Sequence, residues 1–315
     1  MRKALTLAFA AALAVTLSPA ATADTAAAPL YRVVCNGMNS SGYNLKCGVD
    51  VSISLREGGA PSSVKELNSA YAFIGDISAF YGTLGASLQD LVGHDYQGTN
   101  AVGVTISGPK SPTFYSGGYV VVSSDMLSDD TTAHEFTHAV QDKLGKLTAG
   151  EGKEGTAVSE AIADIFGELV DLNNKSADDT AANRWKIGEG APLGVYRNMA
   201  DPNSNRPPMP DRKGGQYWAT DNNIRINGAV LEKAAFLIAD GQNFNGQNIT
   251  GIGLTKSAAL WWTVLNTMPQ GANYKQISAT MKSACAANVK NNVAGTTTDD
   301  CSQVTKAITA TQMER

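Results

Sequence analysis

The stretch "AHEFTHAV", residues 133 to 140, restricts the possible folds of this chain more than any other segment of its length. Two of the three histidines in the sequence stand here, at 134 and 138. Residues four apart on an α-helix share one face, so His134 and His138 can aim ring nitrogens at a single metal ion. Glu135 is rotated away from that face, and its carboxylate belongs beside an open coordination position rather than in the ligand shell. Zinc held this way needs a third protein ligand. The next acidic helix, "EGTAVSEAIADIFGELVD", offers Glu160 and Asp164, again four apart. Glu160 is expected to complete a two-His, one-carboxylate site for one zinc ion, and Asp164 to accept the second ring N–H of a ligand histidine. The neighbours Ala157, Ala161, Ala163 and Ile165 mark this as an inward face rather than a solvated acidic one. Any fold must therefore bring these two helices to one point.

The chemistry follows from the residue types. A metal of this kind lowers the pKa of a water from 15.7 to about 7, and Glu135 is placed to take the proton. A purely structural metal site has no use for such a glutamate.

At 315 residues, with 43% hydrophobic and 17% charged side chains, the chain can bury a large core and gives no sign of disorder. A net charge of -4 with no basic run beyond Lys3 argues against nucleic acid as a partner. The start "MRKALTLAFAAALAVTLSPAATAD" has Arg2 and Lys3, a short apolar run and the triplet Ala21, Thr22, Ala23. That is the pattern of a signal peptide over 1–23, so secretion to an extracellular or periplasmic space is expected. No later segment reaches the roughly 18 apolar residues of a membrane span. In an oxidising compartment the four cysteines read most simply as two local disulfides, Cys35 with Cys47 and Cys285 with Cys301, out of three possible pairings.

Short β-branched runs at 31, 49, 101 and 119 read as strands, interrupted by a helix in which Leu67, Ala70, Phe73, Ile74, Ile77 and Phe80 make a core face. From about 130 the pattern turns helical: 130–145, 156–173, 226–240, 253–268, 272–289 and 299–312. Strands first and helices later predict an α+β fold with two lobes and a cleft between them. The lobes divide at 24–147 and 148–315. His94, in "VGHDYQG", reads as a surface group on a loop.

With these residues in view, the chain resembles the thermolysin-like zinc metallopeptidases, from about residue 66 onward. "TTAHEFTHAVQD", "SEAIADIFGELVD", "YRNMADP", "INGAVLEKAAFLIADG" and "GIGLTKSAALWWTVL" carry the likeness, in the family's order. The resemblance implies a β-rich N-terminal lobe, a helical C-terminal lobe, and cleavage of peptide bonds on the amino side of a large apolar residue. It implies zinc on His134, His138 and Glu160, Glu135 as general base, and Asp164 behind a ligand histidine. It also implies that Arg197 holds the carbonyl of the residue after the cut. A peptide or protein is the expected partner, and the chain is expected to be a monomer.

The sequence departs from the family in five respects. Arg225 stands where the family has a catalytic His, and the loop "KLTAGEGKEGTAVSE" lacks the family's Tyr. Arg225 is the expected replacement, because a guanidinium is a permanent donor able to face an oxyanion. The substrate edge is "PTFY", with Pro112 in place of an Asn, leaving the backbone of Thr113 and Phe114 to pair with a peptide. Asp130, Asp171 and Glu189 match calcium ligands, but Arg184 and Lys186 replace carboxylates and can neutralise the acids, so at most one calcium is expected. The family's long propeptide has little room here. These departures support a rival reading, a zinc-binding secreted protein that binds peptides or a partner with impaired turnover.

Overall fold

The computed structural model describes residues 28–40, 45–148, 154–220 and 224–315. The expected signal peptide lies outside them, as does part of the loop between the helices that carry His134 and Glu160.

The β-branched runs become strands β1 (Arg32–Gly37), β2 (Ile53–Arg56), β3 (His94–Tyr96), β4 (Thr99–Ser107), β5 (Phe114–Ser116) and β6 (Tyr119–Ser123). They form one mixed sheet in the order β2-β1-β4-β6-β5, with β3 pairing with β4. The pairs β1/β4 and β4/β6 are parallel, while β2 and β5 run antiparallel along the two edges. The run at 49 is shorter than expected. Lys46 O caps a turn there, accepting from the amides of Val49 and Asp50, and only an isolated bridge joins Cys47 to Val51.

Side chains alternate across this sheet as strand geometry requires. Val34, Val102, Val104, Ile106, Val120 and Val122 face the main core, whereas Val33, Cys35, Ala101 and Val121 face a smaller cluster. The disulfide Cys35–Cys47 closes that smaller cluster, with Cα atoms 5.4 Å apart. His94 belongs to this side as well and is no loop group. It opens β3, half-buried, edge-on to Tyr119 and Tyr96 at 4.8 and 5.5 Å.

The helices are α1 (Lys65–Thr83), α2 (Leu88–Val92), α3 (Asp129–Lys143), α4 (Glu154–Asn174), α5 (Ala229–Ala239), α6 (Leu254–Thr267), α7 (Tyr274–Lys290) and α8 (Thr298–Ala310). α1 buries the expected face, with Phe73 half-buried at its margin. The disulfide Cys285–Cys301 ties α7 to α8. Two small strand pairs interrupt the helical half: β7 (Lys186–Ile187) with β8 (Arg197–Asn198), and β9 (Gly241–Phe244) with β10 (Gln247–Thr250). The second turns on Asn245 and Gly246, both at positive φ, which is the Asn-Gly signal of a tight hairpin.

Helices α3 and α4 are buried nearly all round, as is the shorter α5 apart from Phe236. Every residue of α3 from Asp129 to Gln141 is buried, and so is every residue of α4 from Gly155 to Asp171 except Glu160. Their neutral polar side chains are bonded internally: Thr132 donates to Ser128 O, Thr137 to Ala133 O, and Gln141 Nε2 to Ser159 O. Gly167 lets the two approach, since a Cβ there would lie 2.7 Å from Asp130 O. No described helix is long and apolar enough to cross a membrane.

Candidate metal centre

α3 opens at Ser128 with Asp129 and Asp130 in its first turn, where negative charge suits the positive end of the helix dipole. One turn later it presents His134 and His138 toward α4. Their Nε2 atoms lie 3.1 Å apart. Glu160 supplies the third group, with Oε2 3.7 Å from His134 Nε2 and Oε1 3.8 Å from His138 Nε2. A tetrahedral zinc with bonds of 2.0–2.1 Å sets its ligand atoms about 3.4 Å from one another. The three separations bracket that value, so these residues fit zinc.

Asp164 Oδ1 accepts from His134 Nδ1 at 2.7 Å, which fixes the tautomer that leaves Nε2 with its lone pair. Asp164 is fully buried, and its second oxygen accepts from Arg197 Nη1. Burial opposes its ionisation, but Arg197 and His134 hold it well below the usual carboxylate range. Glu160 is treated similarly: burial opposes its charge, yet His138, His134 and Arg225 bring its carboxyl down to about 2. Both are carboxylates at neutral pH.

Glu135 is 6% exposed, with Oε1 4.0 Å from His134 Nε2 and Oε2 buried without a hydrogen-bond partner among the described residues. Burial pushes its carboxyl up, against the pull of His134 and His138. Arg225, in a 3-10 turn at Ile224–Gly228, is largely exposed and its Nη2 donates to Glu160 Oε2. It reaches the centre through that carboxylate. Phe114 lies on edge strand β5, while the Thr113 hydroxyl accepts from Ser123 N at 2.9 Å.

The acidic positions matched to calcium are arranged differently from the expectation. Asp130 is spoken for by Gly188 N at 2.6 Å, Ser128 Oγ and Thr131 N. The oxygens that converge are those of Glu168, Asp171 and Glu189, all within 4.8 Å of one another and buried. Both oxygens of Asp171 and of Glu189, and Oε2 of Glu168, lack hydrogen-bond partners among the described residues. Arg184 does not neutralise them: its guanidinium makes a bidentate pair with Asp240 at 2.5 and 2.6 Å. Lys186 lines a surface cleft beside Leu193, Asn198 and Arg206. Glu168 was not anticipated, although it continues the stripe of Glu160 and Asp164 by one further turn and precedes Asp171 by three. Glu232 was also missed. It is an acidic residue inside the apolar run "AVLEKAAFLIA" of α5, and it lines one cavity with Glu160, Asp164 and Arg197.

Paired helices that converge two histidines and a glutamate beside a buried second glutamate, set against a mixed sheet, define an α+β protein with a candidate zinc centre. The chain belongs to the thermolysin metallopeptidase family: residues 151–312, about half of the chain, match that family's α-helical domain. A zinc metalloproteinase of Renibacterium salmoninarum is 40% identical over 315 residues, covering 89% of this chain and 57% of the relative. Thermolysin of Alicyclobacillus acidocaldarius subsp. acidocaldarius is 30% identical over 190 residues, covering 58% and 32% respectively. The chain therefore spans only part of the length of these relatives. The precursor of protealysin, a metalloproteinase from Serratia proteamaculans, has the same fold, with a TM-score of 0.68 over 91% of this chain and 88% of that chain at 18% identity.

Proposed function

We propose that this protein is a secreted zinc endopeptidase, a reading carried by one observation: a buried Glu135 carboxylate with an unpartnered oxygen beside the convergent His134, His138 and Glu160. His134, His138 and Glu160 hold the metal. Bound zinc supplies Lewis-acid polarisation and lowers the pKa of water. Glu135 takes the proton of the attacking water and delivers it to the amide nitrogen as the C–N bond breaks. Arg197, anchored on Asp164, holds the carbonyl of the residue after the cut, and the edge of β5 at Thr113 and Phe114 receives the peptide as an added strand. The signal-like start and the two disulfides support export. Glu168, Asp171 and Glu189 hold one calcium ion.

The test is cleavage of casein or a quenched peptide by the purified mature chain carrying about one zinc ion. Activity is expected to vanish on treatment with a zinc chelator and to return with added zinc. A zinc-loaded chain that cleaves nothing but still binds peptide would establish the binding-protein reading instead.

Arg225 serves the developing oxyanion. Arg225 is the exposed member of its pair with Glu160, so its guanidinium has solvent space in which to turn from that carboxylate toward substrate. Arg225→Ala is expected to lower kcat about a hundred- to a thousandfold, the usual loss of one transition-state donor, while zinc content per chain stays the same. Unchanged kcat would remove Arg225 from the mechanism.

A further inference from the structure

We infer that the cleft on the outer face of β7 and β8 binds acidic side chains of the substrate just past the cut, and that Lys186 and Arg206 recognise them. The inference rests on the reading of Arg197 as the group that holds the carbonyl after the scissile bond. The antiparallel pair sets Ile187 opposite Arg197 and Lys186 opposite Asn198. Neighbouring residues of a strand point to opposite faces. Arg197 therefore turns inward to Asp164, while Lys186 and Asn198 share the other face and line a cleft of about 460 Å³. Tyr196 joins the two sides. It lines the cleft, its ring centroid lies 5.2 Å from the Arg197 guanidinium carbon, and its hydroxyl is 2.9 Å from Thr131 Oγ1 on α3. Gly188 makes room for that ring, since a Cβ there would lie 2.6 Å from it.

The cleft's lining carries two cations and no carboxylate. Lys186 has no ion-pair or hydrogen-bond partner for its ammonium among the described residues. Arg206 gives only Nη1, to the carbonyls of Ser204 and Asn205 at 3.2 and 3.1 Å, and its Nε and Nη2 stay free among the described residues. By contrast Arg184, Arg197 and Arg225 each pair with a carboxylate. In a chain of net charge -4, two unpaired cations on one cleft make a local positive field that attracts an anion. Arg206 is also held near β8, because Asn198 N donates to Asn205 Oδ1 at 2.7 Å and Asn198 Nδ2 to Ser204 Oγ at 3.2 Å.

The apolar part of the lining points the same way. Leu193 and Val195, 57% and 46% exposed, are two of the four most exposed large apolar side chains among the described residues, and both border this cleft. Such a surface covers the stem of a bound side chain while the cations meet its carboxylate. An extended peptide advances about 3.3 Å per residue, so the second and third residues past the cut are the ones that pass from Arg197 over Tyr196 into the cleft.

The experiment uses two C-terminally amidated quenched peptides that are identical up to the residue after the scissile bond and continue with Asp-Asp in one and Asn-Asn in the other. Zinc-loaded wild type is expected to favour the acidic peptide about five- to twentyfold in kcat/KM, mainly through KM, as two exposed ion pairs allow. The preference should shrink between about 0.01 M and about 1 M sodium chloride, as the Debye length falls from about 30 to about 3 Å. In the double variant Lys186→Gln, Arg206→Gln the ratio should drop to about 1. Lys186→Glu with Arg206→Glu should invert it, toward a third peptide with Lys-Lys at these positions. Binding of the same peptides to zinc-loaded Glu135→Gln protein, read by fluorescence anisotropy, gives the preference without turnover. A wild-type ratio near 1 in both assays would overturn the inference, as would a full preference retained by the double Gln variant. A binding preference without any cleavage would sink the peptidase reading and leave this inference standing.

Discussion

With Glu135 replaced by Gln, kcat for peptide cleavage is expected to fall about a hundred- to ten-thousandfold, the range a positioned general base contributes. KM and zinc content per chain should stay near wild type. The substitution conserves volume in a site where the side chain is 6% exposed, so no cavity opens and α3 keeps its packing on α4. In the proposed site Glu135 is no metal ligand, since His134, His138 and Glu160 present three convergent ligand atoms. What the amide lacks is a basic oxygen to accept the proton of water. Metal analysis, circular dichroism and steady-state kinetics on the same preparation check the result. A Gln variant as active as wild type with full zinc would mean that water is activated by another group.

Calcium is expected to have the largest effect on stability. Added at about a hundred times its dissociation constant, it should stabilise the zinc-loaded protein by about 2.7 kcal/mol. In a chain of this size that raises Tm by about 4 °C. Glu168, Asp171 and Glu189 converge in the interior with five unpartnered oxygens among them, a donor set suited to a hard cation. Without a cation, burial and mutual repulsion push Asp171 up to about 11 and Glu189 up to about 8.

The sign of the pH dependence follows. A carboxyl whose pKa is higher in the folded chain than in the unfolded one binds more protons when folded, and the stability it contributes at low pH is lost as pH rises. For Glu189 that loss runs from the ordinary value of 4.5 to about 8. Calcium-free protein should therefore weaken across this window, and saturating calcium should cancel the slope, because the metal binds the deprotonated ligands. Glu168→Gln should shrink the calcium response. A Tm insensitive to calcium at pH 8 would show that these acids hold no cation.

Much of the architecture was readable from spacing. The helices expected at 253–268 and 272–289 occur at Leu254–Thr267 and Tyr274–Lys290, because apolar residues at helical intervals report local geometry directly. The two disulfides join the cysteines nearest in sequence, and the convergence of His134 with His138 is a property of one helical turn. The hairpin at Asn245–Gly246 was readable too, though overshadowed by the helical pattern around it.

The remainder depends on partners far apart in the chain. Arg184 reads as a neutraliser of nearby acids until Asp240, 56 positions on, takes its guanidinium. Asp130 reads as a free ligand until Gly188 N reaches it. Glu168 and Glu232 look like ordinary charged residues on helices, and only burial, which removes water as their alternative partner, makes them chemically consequential. Local periodicity, then, is enough to specify α3 and α4 and to put His134 and His138 on one helical face. Which carboxyls keep a proton, which hold a cation and which pair with arginine is set by desolvation and by neighbours from other elements, and these exist only once α3, α4, α5 and the loops around them have packed.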